Sequence, residues 1–353
     1  MTLPTEPIGS IPRPQALQDG IRAASAGTLS SEALEALFDD AVRDTLRRFE
    51  ATGSPVVTDG EQRKPSFATY PVAGLATRGS GGVAIPFADG HTRELPVLTE
   101  SPFRYATYAW EYLDGARGQT TAQLKQAVIS ASAISLMYPQ DGIAGYPREA
   151  FIDDLVSEAA SEIRGCVERG ALVQIDFTEA RLSLKLDPSK GLLGAFVDLN
   201  NRVLAELTDA ERARVGVHSC PGGDQDSTHS ADVPYEDLLP GLFRMNVDTF
   251  YVQLASEADR ERVLRILGDH ATGARRVFVG VIDPIDPRVE TPEEVRDRIL
   301  EAARFIDPGH LGTTDDCGFS PFGDDASTSR DTAFAKIQAR ITGTAMASSA
   351  LGV

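Results

Sequence analysis

From end to end, the 353-residue chain alternates short apolar runs with amphipathic helical patterns, and this alternation restricts its fold more than any other feature. Eight segments read as strands: Ile8–Pro12, Val56–Glu61, Ala127–Ser132, Leu172–Phe177, Val215–Cys220, Phe250–Ala255, Val277–Asp283 and Leu311–Cys317. Between them the first helix is marked by Leu34, Phe38, Val42, Leu46 and Phe49 at three- and four-residue spacing. Others are expected near 149–169, 192–208, 235–245, 257–269, 291–305 and 328–346. At the start of the 291–305 helix, Thr291 can cap, Pro292 suits the first helical position and Glu294 completes a capping box. Strands alternating with helices pair in parallel, and eight such units predict an α/β chain closed into a (β/α)8 TIM barrel. The interval between the second and third strands, about 64–126, is too long for one unit. Its glycine-rich turns and alternating apolar residues predict a β-rich insertion over the barrel mouth, with GSGG at 79–82 a flexible turn rather than a phosphate loop. No linker or low-complexity stretch interrupts 1–353, which reads as a single catalytic domain.

Charge narrows the partners. Asp and Glu (52) outnumber Lys and Arg (34) for a net charge of -18, which repels nucleic acid and anionic membrane surfaces. No apolar run is long enough to span a bilayer and MTLPTEPIGS does not resemble a signal peptide, so the expected location is cytoplasmic. Cys166, Cys220 and Cys317 are too few and too widely spaced for a disulfide framework. Cys166 lies on a helical pattern and reads as a core residue.

Barrel enzymes carry their chemistry at the C-terminal ends of the strands. There the sequence gathers Ser10, Asp59, Glu61, Asp176, Glu179, His218, Cys220, Gln253, Asp283, Asp315, Asp316 and Cys317. His218 and Cys220 stand two apart on one strand and so project to the same face. With Cys317 at the same mouth they form a ligand set of two thiolates and an imidazole, which suits zinc and leaves a fourth position to exchange. His229, in the polar loop that follows, reads as a solvated residue, with a proton-shuttle role as the alternative.

Six motifs in order then resemble one family, the cobalamin-independent methionine synthases. They are IGSIPRP at 8–14, TDGEQRK at 58–64, VQIDFTEA at 173–180, VHSC at 217–220, GVIDPIDPRVETPEEV at 280–295 and TDDCGFSP at 314–321. The resemblance extends to the catalytic barrel of the long enzymes and to their short single-barrel relatives. It implies zinc held by His218, Cys220 and Cys317, and a homocysteine-like thiol held by Ser10, Glu61 and Asp176. The implied activity is transfer of a methyl group to that thiol, with the zinc-bound thiolate as nucleophile and a folate-like molecule or a methyl-carrier protein as donor. Glu61 or Asp283 would assist protonation of the donor. The chain departs from the family at two places, the stretch DTFYVQLAS at 248–256 and the Q-I-D segment. Gln253 replaces the usual glutamate as candidate fourth ligand, with Glu257 or water as substitutes, and FTE follows the Q-I-D strand where the family has E-P. These departures leave a second reading open, a zinc-dependent alkyltransferase or lyase that makes or breaks a C–S bond with a non-methyl partner such as an epoxide.

Overall fold

In a computed structural model describing residues 2–353, seven parallel strands form one curled sheet. In sheet order, which is also chain order, they are Val56–Val57, Gln123–Ile129, Leu172–Asp176, Val215–Ser219, Thr249–Val252, Arg276–Ile282 and Leu311–Asp315. Their residues are buried almost without exception, as expected for parallel strands covered on both faces. The long helices lie at Ser31–Ala51, Arg148–Glu168, Gly191–Ala205, Arg260–His270, Pro292–Ala302 and Arg330–Leu351. The Thr291 capping box forms as its sequence requires: Thr291 Oγ1 accepts from the Glu294 amide and the Glu294 carboxylate accepts from the Thr291 amide. A further helix, Gln15–Ser25, follows Pro14 without having been marked by its periodicity.

The first expected strand is not a strand. Prolines at 4, 7, 12 and 14 remove the amide donors a ladder needs, so Ile8–Pro12 runs as irregular extended chain. The segment still fills the eighth position. Thr5 forms a parallel bridge with Thr313, Ile11 N donates to Gly60 O at 3.0 Å, and Thr58 Oγ1 donates to Gly9 O at 2.7 Å. One edge of the sheet is thereby joined to the other. Within the ring, Lys125 Nζ lies 3.4 Å from Glu6 Oε2 and 3.6 Å from the Tyr251 ring centroid, while the Tyr251 hydroxyl donates to the same Glu6 oxygen. Lys125 and Tyr251 belong to strands separated by two others, so this contact crosses the barrel interior.

The insertion is mixed rather than purely β. It holds an antiparallel hairpin, Arg78–Pro86 with Thr92–Leu98, and a helix, Ala109–Ala116. GSGG lies within the hairpin's first strand, where the register shifts between Gly79 and Val83. The hairpin tip reaches the loop behind Cys220: Ala88 N donates to Thr228 O at 2.9 Å and Asp89 N to Ser227 Oγ at 3.2 Å. Among the described residues no helix is long and apolar enough to cross a membrane.

Candidate functional site

Parallel register sets the site. Asp176 pairs with His218 and Ser219 with Val252, so the next residues along these strands, Cys220 and Gln253, are neighbours on the same rim. Cys317 enters two residues past the end of the Leu311–Asp315 strand. Ligand atoms of His218, Cys220 and Cys317 fall within 4.8 Å of one another, all in buried side chains, and the two Sγ atoms are 3.1 Å apart. His218 Nδ1 faces Asp176 Oδ1 at 3.1 Å, the outer partner that fixes the ring of a metal-binding histidine. Its Nε2 lies 3.3 Å from the Asp316 carbonyl oxygen. Burial pulls the His218 imidazole down, but the Asp176 carboxylate outweighs this and raises it. Burial pushes the Cys220 thiol well up, whereas the hydrogen bond from Cys220, supported by His218, brings Cys317 down against its own burial.

Gln253 follows Val252 on the rim next to Cys220. Its amide nitrogen donates to Ser256 Oγ at 2.8 Å and to Glu257 Oε1 at 2.9 Å, while its oxygen is buried without a partner. Glu257 is occupied: Arg181 Nη1 donates to it at 2.7 Å. The Asp316 carboxylate accepts from the amides of Leu254, Ala255 and Ser256 and from the Ser256 hydroxyl, clamping the loop that presents Gln253. Two thiols, an imidazole and an orphaned amide oxygen make a donor set that a zinc ion fits.

Glu61 stands nearby in a conformation few non-glycine residues adopt, φ 56°. The backbone around it is heavily held. Glu61 N donates to Asp59 Oδ1 at 2.9 Å, and the buried Arg13 guanidinium donates to the carbonyls of Glu61, Gln62, Lys64 and Phe322. Such restraint is what keeps a strained residue in place. Burial pushes the Glu61 carboxyl up to about 7, with Lys64 Nζ at 3.6 Å opposing and Asp176 and Asp59 adding to the shift. Ser10 is tied to the Cys317 loop: its Oγ accepts from Ser320 N at 3.2 Å and its carbonyl from Phe319 N at 3.1 Å. A Cβ on Gly318 would stand 2.1 Å from that Oγ, so only glycine permits the approach. Asp283 is half-buried at the end of its strand, and its Oδ1 accepts from the Ile285 amide, capping its own turn.

Beside this cluster opens a cavity of about 730 Å³, lined by Arg13, Lys64, Phe87, Arg93, Glu179, Gly222, Gly223, His229 and Phe322 among others. Gly223, in the cavity wall, also borders the thiols: a Cβ there would lie 3.8 Å from Cys317 Sγ. His229 corrects the sequence expectation. It is 6% exposed, packed in the cavity wall against Phe87 rather than solvated, and burial with Lys185 and Arg181 nearby holds it down at about 4. Gly222, at φ +70°, makes room for it, since a Cβ there would meet His229 Nε2 at 1.8 Å. No alternation pattern marks a loop histidine for burial, because the tertiary contact with the hairpin does it. The Arg93 guanidinium joins the cavity's walls, reaching Asp224 behind Cys220 and Asp324 behind Cys317 while stacking 4.2 Å over Phe322.

Comparison with known proteins agrees with this architecture. Residues 3–332 match the family described as "Cobalamin-independent synthase, Catalytic domain". A methionine synthase of Sulfurisphaera tokodaii is 28% identical over 317 residues, 90% of this chain and 86% of that protein. One from Saccharolobus solfataricus is 26% identical over 349 residues, 97% and 94% of the two. The structure of a B12-independent methionine synthase from a Shewanella species, in complex with selenomethionine, superposes with a TM-score of 0.78 at 21% identity over 99% of each chain. Because the family match spans all but the ends, the chain belongs to the cobalamin-independent synthase family, catalytic domain.

Proposed function

We propose that the whole chain acts as one zinc-dependent catalytic unit that transfers a methyl group to a small, homocysteine-like thiol. The observation that carries this reading is the buried His218, Cys220 and Cys317 cluster, with the orphaned Gln253 oxygen on the same rim and Gly223 between Cys317 and the cavity. His218, Cys220, Cys317 and Gln253 would hold the zinc, which when bound supplies the Lewis acidity that keeps a thiol ionised near pH 7. Asp176 orients His218 through Nδ1 and, with Glu61 and Ser10, offers the polar wall that would receive the substrate's amino and carboxylate ends. A cavity of about 730 Å³ has the size of a small-molecule site, which favours a folate-like donor over a carrier protein. Relatives named methionine synthase, and the selenomethionine held by the Shewanella protein, support the same substrate class. Unpaired cysteines at the metal cluster fit a reducing compartment such as the cytoplasm.

The test is zinc content and product analysis on purified protein. We expect about one zinc per chain by the ligand count of such sites, lost in Cys220→Ser and Cys317→Ser, and methionine formed from homocysteine and 5-methyltetrahydrofolate. Metal-free wild-type protein after anaerobic zinc loading would overturn the reading. An S-alkyl product from an epoxide, with no methionine from any methyl donor, would move it to alkyl transfer.

A further inference from the structure

We propose that Glu179 is the acid on the donor side of the site, meeting a tertiary-amine methyl donor in the cavity and protonating the nitrogen as the carbon leaves. The proposal rests on the methyl-transfer reading above. Glu179 begins the helix Glu179–Leu186, directly after the Asp176 strand, and lines the cavity while being 4% exposed. Its Oε1 receives the hydroxyls of Ser130 and Ser132. Each serine oxygen also accepts a bond, Ser130 Oγ from Ala133 N at 3.1 Å and Ser132 Oγ from Asn200 Nδ2 at 2.7 Å, and the two hydroxyls lie 3.4 Å apart. The other oxygen, Oε2, is buried with no partner. A buried carboxyl oxygen left bare is costly, and in a cavity wall a ligand is the group that can satisfy it.

Of the other carboxyls at the mouth, Asp316 accepts four hydrogen bonds and Asp283 caps its turn, while Glu61 also keeps a bare buried Oε2 but has Lys64 Nζ beside it at 3.6 Å. Glu179 has no cation paired with it. Burial holds its carboxyl at about 7 against the two serines, with Asp176 adding to the rise, so acid and base forms coexist near neutrality.

The step balances. The thiol loses its proton on becoming thiolate; the S–C bond forms as the C–N bond breaks, and the C–N electron pair remains on nitrogen, which takes the Glu179 proton. Ser130 and Ser132 stabilise the carboxylate until it recovers the equivalent the thiol released. Thiol and methylamine thus become thioether and secondary amine, with nothing left over.

Two donors separate this role from structural damage. With homocysteine as acceptor, 5-methyltetrahydrofolate needs a proton on its leaving nitrogen, whereas methyl iodide releases iodide and needs none. Glu179→Gln is expected to lose on the order of 100-fold in kcat with the folate while keeping its zinc and its rate with methyl iodide. Equal loss with both donors, or loss with neither, would overturn the proposal. Should that variant not fold, Ser132→Ala carries the same comparison, with a loss of several-fold confined to the folate expected and a loss shared by both donors against it. If the wild type uses methyl iodide but no amine donor, the donor half of the proposed function falls, and the role of Glu179 falls with it. If it uses neither, the methyl-transfer reading itself fails.

Discussion

Asp176 serves two neighbours at once. One oxygen takes both the His218 ring and, at 2.7 Å, the Gln174 amide, so the residue proposed to receive substrate also orients a proposed metal ligand. Asp176→Asn is therefore expected to weaken zinc binding by about 10- to 100-fold, measured by chelator competition, as well as thiol affinity. Glu162 makes a different prediction. It is buried beneath the insertion, where Oε1 accepts from Tyr70 OH and Ala109 N, and burial pushes its carboxyl up to about 7. A carboxyl whose folded value lies above its unfolded one keeps the native state more protonated. Its stabilising contribution is whole below about 4.5, is lost as pH rises to about 7, and is flat beyond. Glu162→Gln retains the acceptor and removes the titration, so it should raise the melting temperature at pH 8 and leave it unchanged at pH 4.5. The pairing of His218 with Cys220 in the candidate metal cluster was legible in the sequence because strand periodicity places both on one face. Glu179 was legible only as a mouth residue: its meaning depends on Ser130 and Ser132, which no spacing connects to it.

At the scale of elements, the hairpin Arg78–Pro86 with Thr92–Leu98 shows where periodicity stops informing. Alternation announced β structure there, but the helix Ala109–Ala116 is held from outside, its first amide donating to Glu162 and the preceding Tyr108 bonded to Glu158. The hairpin docks chiefly through Arg93 and its tip. Arg93→Ala is expected to increase protease cleavage and amide exchange within 78–98 and to raise the donor KM, with zinc content unchanged; unchanged exchange would mean that the tip contacts suffice. Strand positions were read well wherever Val, Ile and Leu are continuous, as in Leu172–Asp176 and Val215–Ser219. The apolar pattern of Ile8–Pro12 does not make a strand because prolines at 4, 7, 12 and 14 outweigh it.

For the molecule as a whole, closing the ring falls to a segment without a ladder. Arg340, fully buried on the last helix, donates to Thr5 Oγ1 at 3.0 Å and lies 3.1 Å from Asp315, tying that segment to the neighbouring strand. Arg340→Ala would strand the Asp315 charge and is expected to cost about 3–5 kcal/mol, read from urea unfolding. The order of the seven strands was legible because each βα unit is local; how the ring closes was not, since it depends on side chains more than 300 residues apart. Arg93 has a consequence at this scale too. One guanidinium is anchored to Asp224 after Cys220 and to Asp324 after Cys317 and also forms part of the cavity wall, so a metal held by the cysteines and a ligand held by the cavity would share it. Any linkage through it would be reciprocal: whatever factor an occupied cavity added to the grip on the metal, the metal would return to the occupant.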